Sequence, residues 1–220
     1  MTWQADPATV QTGGRQTQAR LASSGVRGGA LMATAATYKG VLSEFKKKPE
    51  DVQAYFADYE SLLREYSWDV SVSYVFSRVE GIKHWTIYCG IVKLHRTDAA
   101  LTKSLVDKDH MSRGRFRSLF KTVFGEAIPE PIQKKLSAAE AVRDRFIHGK
   151  MFEPTQAQAR QAMIDIFEFV EEFSTYVHGL AGFRPVGDLR GFKGRAEPLS
   201  RETTKWVLLG MGIPAKPAPE

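Results

Sequence analysis

Two hundred and twenty residues suffice for one hydrophobic core and a tail. The chain is 43% hydrophobic and 25% charged, an ordinary globular balance. No run approaches 18 apolar residues, which excludes a transmembrane helix. A lone cysteine, Cys89, excludes an internal disulfide and a Cys-based zinc site, and points to a reducing, cytoplasmic setting. The net charge of +6 fits a polyanionic partner. Residues 98–150 hold 11 basic and 7 acidic groups, whereas 151–180 hold 1 and 5, so the positive charge gathers in the middle and at the two ends.

Residues 1–37 are rich in Thr, Gln, Ala, Gly and Ser and lack sustained periodicity, which reads as a disordered basic arm. An organellar transit peptide shares that composition, but no clear amphipathic helix accompanies it. An ordered domain is expected over 38–180. From Pro49, the apolar positions Val52, Tyr55, Phe56, Tyr59, Leu62, Leu63 and Tyr66 keep helical spacing and predict one helix. Glu50 and Asp51 sit where they meet the positive end of its dipole.

Asp69 to Arg96 is legible in two ways. VSVSYVF alternates like a strand and Gly81 and Gly90 weaken a helix, yet Val72, Val75, Phe76, Val79 and Ile82 keep helical spacing. A long, partly buried helix is the preferred reading. Asp98 then suits an N-cap for AALTKSLV. In RGRFRSLFKTVFG, Phe116, Leu119, Phe120 and Val123 share a face and Gly125 is a C-terminal stop. A helix opening at Pro129 and Pro131 is expected to end at Gly149, and another follows Pro154 with Met163, Ile166, Phe167, Val170, Phe173 and Val177 inward. The fold class is all-α, a four- to five-helix antiparallel bundle. Residues 181–220 form a basic Gly/Arg-rich tail with a short helix from Ser200 through Leu209. Its apolar residues around Trp206 are expected to dock on the bundle or on a second subunit.

Arg143-Asp144-Arg145-Phe146-Ile147-His148-Gly149-Lys150 closes the penultimate large helix. An arginine, a polar residue, three more residues and a histidine, placed before the final helix, resembles the Arg-x(4–6)-His motif of the HEPN superfamily. The resemblance covers about residues 50–180. It implies a metal-independent endoribonuclease, of the kind found among toxins and phage-defence effectors, working as a homodimer on RNA without a cofactor, sometimes restrained by an antitoxin protein. Carried over, Arg143 is the transition-state phosphate ligand, His148 the general base or acid, and Asp144 an orienting group. The implied products are a 2′,3′-cyclic phosphate and a 5′-OH.

The residue types suit that chemistry. Histidine exchanges protons near neutral pH, and an arginine fork stays charged against phosphate oxygens. Positions i and i+5 lie about 140° apart on a helix, so one motif converges poorly unless the helix ends or a second motif completes the site. Arg145, Lys150, Arg113 and Arg117 are candidate substrate-binding residues. RGRFRSLFK interleaves arginine with phenylalanine, although the phenylalanines have core spacing. Arg78 and His84 fit the same bare pattern in an apolar segment. His95, His110 and His178 have no partners at metal-ligand spacing, so no metal site is expected. Two alternatives stay open: a non-catalytic HEPN-like module binding RNA, nucleotide or protein, and a purely structural helical scaffold. In both, His148 would simply complement a helix C-terminus.

Overall fold

The computed structural model describes residues 37–148, 154–186 and 197–214. Apart from Thr37, the arm lies outside these residues, as do Gly149, Lys150, most of the Gly/Arg stretch and the last six positions. All regular structure among the described residues is α-helical: α1 (Tyr38–Lys46), α2 (Glu50–Tyr55), α3 (Tyr59–Glu65), α4 (Trp68–His95), α5 (Ala99–Val106), α6 (Arg113–Phe124), α7 (Glu130–Ile147), α8 (Gln156–Ala181) and α9 (Arg201–Gly210). No helix among them is long and apolar enough to cross a membrane.

Helix ends follow local chemistry. Side-chain oxygens of Thr37, Asp98, Ser112 and Ser200 accept from the backbone N–H three residues on, and Thr155 forms a full capping box with Gln158. Gly125 and Gly182 stop α6 and α8 in the left-handed region, where a side chain is strained.

The helix expected over 49–66 is broken at Phe56–Asp58 into α2 and α3. A tertiary contact supplies the reason. The Tyr55 carbonyl, which would accept from Tyr59 N–H in a continuous helix, accepts instead from Arg78 Nε and Nη2 at 3.0 and 2.7 Å. Tyr59 N–H turns to the Phe56 carbonyl at 2.9 Å. Arg78 also stacks 4.0 Å from the Tyr55 ring centroid. The break still keeps Phe56 and Tyr59 in one buried cluster with Phe45, all edge-on or tilted around Phe167.

α4 runs unbroken through Gly81 and Gly90 and supplies much of the core. Gly90 is where α6 comes closest: a Cβ there would meet Phe124 Cζ at 2.6 Å and Val123 Cγ1 at 2.8 Å. α8 returns alongside α7, since Lys135 near the start of α7 pairs with Glu168 and Glu172 late in α8. The six inward positions expected on α8 are buried.

The C-terminal segment is tied to the α4–α5 and α6 region. Leu199 N–H donates to the Arg96 carbonyl at 2.7 Å, Asp98 N–H to Thr204 Oγ1 at 2.9 Å, and Arg115 Nη2 to the Gly212 carbonyl at 2.8 Å. Its apolar residues divide. Leu208 and Ile213 are buried in the core, whereas Trp206 is 74% exposed. Docking on the chain's own helices therefore rests on Leu208 and Ile213.

Candidate functional site

Arg143 lies on α7 beside an open groove of about 320 Å³, lined by Ser73, Phe76, Ser77 and Glu80 of α4 and by Ile147. Its guanidinium stacks 5.6 Å from the Phe76 ring centroid and stands 4.0 Å from Asp144. The side chain is 32% exposed, yet its Nε is buried with no hydrogen-bond partner. The exposed part of this charged fork at the groove wall can donate to a ligand oxygen, while the buried Nε is out of a ligand's reach.

Asp144 accepts from Arg113 Nη2 at 2.7 Å, and Arg113 Nε reaches Glu140 at 2.9 Å. Glu140 in turn accepts from Lys83 Nζ at 2.7 Å, and Lys83 reaches Glu80 at 3.0 Å. Lys83 and Glu140 are almost completely buried, the pair being 1% and 3% exposed at their side chains. An ionic ladder thus runs from Glu80 on the α4 wall of the groove, through the interior, to Asp144 beside Arg143. For Arg113, burial disfavours the charge, but the Asp144 bond and the Glu140, Asp144 and Glu80 carboxylates outweigh it and hold its pKa above the ordinary arginine value.

His148 is the C-cap of α7 and is exposed. Its backbone N–H donates to the Asp144 carbonyl at 3.1 Å, so the imidazole sits one residue beyond the groove-lining Ile147. Of the substrate-binding candidates, Arg113 is spent on the ladder. Arg117 is exposed and donates to Ser137 Oγ at 3.0 Å, and Arg145 Nε approaches the Ala141 carbonyl at 3.4 Å. Lys150 lies outside the described residues.

The competing pair is placed differently. Arg78 is the clamp on Tyr55, and His84 Nδ1 donates to the Glu80 carbonyl at 3.0 Å. Among the described residues, no three of His, Cys, Asp and Glu are grouped to hold a metal ion. Cys89 is buried, which pushes its thiol up to about 12 and leaves almost no thiolate at neutral pH.

The ladder was missed by the sequence reading, although a signal existed. Lys83 falls in the apolar stripe of α4, between Ile82 and Thr86, and Glu140 in that of α7 beside Leu136 and Ala139, and a charge in such a place needs a buried partner. Comparison of the chain with protein-family models, with curated proteins and with solved structures finds no significant match.

Proposed function

We propose that this chain is a metal-independent endoribonuclease of HEPN type, a cytoplasmic homodimer whose two motifs share one cleft, with a toxin or phage-defence role. The observation that carries the reading is Arg143. It lines an open groove with a partly exposed guanidinium that makes no close ion pair, while the nearby Arg78 and Arg113 are committed to internal partners. His148 stands exposed at the adjoining helix end, still hydrogen-bonded to the Asp144 carbonyl, so its separation of about 140° from Arg143 makes the second motif of a dimer part of this reading.

In this mechanism His148 removes the proton of the ribose 2′-OH, and the 2′-oxygen attacks phosphorus. Arg143 binds the non-bridging oxygens as negative charge builds on the phosphorane. The P–O5′ bond breaks, a protonated imidazole gives its proton to the departing oxygen, and a 2′,3′-cyclic phosphate remains. Asp144, fixed by Arg113, orients Arg143. Arg113 acts through Asp144 in this reading, whereas Arg145, about 200° around α7 from Arg143, stands on another face of the helix. A cognate antitoxin would restrain the activity by covering the cleft.

One observation favours a second reading. Asp144 and Arg113 satisfy each other inside the protein, so the groove could bind RNA, nucleotide or a partner protein without cleaving anything. Incubation with end-labelled RNA in EDTA separates the two. Cyclic-phosphate ends should form with wild type and vanish with Arg143→Ala or His148→Ala at unchanged helical circular dichroism, while Arg78→Ala stays active at a cost in stability. Cleavage that stops in chelator and returns with a divalent metal rejects the mechanism. Binding without cleavage selects the second reading. A growth assay on expression, wild type against His148→Ala, tests the toxin role.

A further inference from the structure

α4 carries a second recess, one turn beyond the Arg143 groove. It is an open recess of about 100 Å³ between α4 and α5, lined by His84, Trp85, Tyr88, Lys103 and Asp107. Trp85 is 41% exposed, an unusual placement for the largest apolar side chain, and Tyr88 stands edge-on to it at 5.6 Å between ring centroids. Lys103 and Asp107 form an ion pair at the rim, both more than half exposed, so a cation and a carboxylate face solvent beside the indole.

Helical geometry joins this recess to the groove. At 100° per residue, Ser73, Ser77, Glu80, His84 and Tyr88 fall within about 80° of arc, a single stripe along α4. Ser73, Ser77 and Glu80 line the groove; His84 and Tyr88 line the recess. The step from Ser77 to His84 is about 10 Å along the axis. Trp85 lies about 100° around α4 from His84, on the α5 flank of that stripe, so a chain whose phosphate meets Arg143 reaches the indole by following the stripe to His84 and then turning toward α5.

Resting on the ribonuclease reading of the groove, we infer that the recess is a base-stacking subsite for an unpaired nucleotide of the RNA substrate. The indole supplies the stacking face, Lys103 meets the backbone phosphate, and Asp107 accepts from an exocyclic amino group. The recess is shallow and presents one exposed indole, which suits a single unpaired base laid against it rather than bases already stacked in a duplex. A carboxylate acceptor prefers cytosine, with its amino donor, to uracil, which offers a carbonyl at that place.

The test uses the full-length protein and fluorescein-labelled octamers carrying 2′-O-methyl groups, which bind but cannot be cleaved. Anisotropy should show single-stranded oligocytidine bound more tightly than oligouridine or a duplex. Trp85→Ala should weaken oligocytidine binding about tenfold, Trp85→Phe should restore most of it, and Trp206→Ala should change nothing. With cleavable RNA, Trp85→Ala should raise KM more than it lowers kcat. If Trp85→Ala binds like wild type, if duplex binds as well as single strand, or if wild type binds no octamer, the subsite is wrong. Wild type that binds through Trp85 but leaves RNA uncut keeps the subsite and removes the ribonuclease reading. Cleavage with kcat and KM indifferent to Trp85 does the reverse.

Discussion

Leu208→Ala and Trp206→Ala should separate what anchors the C-terminal helix from what merely rides on it. Leu208 is fully buried against the core, two residues from a tryptophan that is three-quarters exposed. Truncating a fully buried leucine costs about 2–5 kcal/mol, and about 3 is reasonable for a helix tied down by hydrogen bonds on both flanks. In a chain of this size that lowers Tm by about 6–12 °C. Trp206→Ala removes a larger side chain but little buried area, so its effect should stay within about 0.5 kcal/mol. Thermal melts followed by circular dichroism, at micromolar and at tenfold lower protein, decide the matter. Equal melting temperatures for the two variants, or a larger loss for Trp206→Ala at both concentrations, would refute the docking of α9 through Leu208. A Trp206 effect seen only at the higher concentration would instead locate that ring in contact with a second subunit.

Gly90→Ala should destabilise the fold although alanine favours a helix by about 1 kcal/mol, because the new Cβ would stand 2.6 Å from Phe124 Cζ. Overpacking at such a crossing costs about 1–3 kcal/mol, and a urea midpoint above wild type would show that α6 can move aside. Asp165 is held above its ordinary 3.8, first by burial, against the Gln161 hydrogen bond and Lys135 and with Glu168 adding to the rise. A raised folded-state pKa gives stability that is complete below the unfolded value and lost as pH climbs through the folded one. Asp165→Asn removes that loss and can keep the Gln161 bond, so its stability relative to wild type should grow between pH 4 and 7. A difference independent of pH would contradict the burial argument.

Much of the helical order was legible in the residues. Asp98, Gly125 and the α8 core positions act as their chemistry suggests because caps and apolar periodicity are local properties. The choice of helix over strand for α4 followed from the buried spacing of Val72, Val75, Val79 and Ile82. The break at Phe56–Asp58 was not legible, since the residue responsible, Arg78, acts from 23 positions away. The same limit governs the candidate site. Arg143, Asp144 and His148 are visible as a pattern, but that Asp144 is spoken for by Arg113, and Arg113 by Glu140, depends on three helices meeting. Trp85 has the spacing to continue the apolar stripe of α4 with Tyr88, Ile91 and Val92, yet it is exposed beside α5, because what covers each side of α4 is set by helices remote in sequence.

Lys83 and Glu140 also constrain how this chain can change over generations. Removing either alone strands the other in the interior at a cost of about 3–5 kcal/mol, much of the 5–15 kcal/mol that holds a typical domain folded. Replacing both with apolar side chains of matching volume could be neutral or better. The two states are therefore both habitable, but the path between them crosses a chain that barely folds. A lineage holding the ionic pair is trapped with it unless two substitutions arrive together, and it would keep the pair even if the groove alongside lost its use.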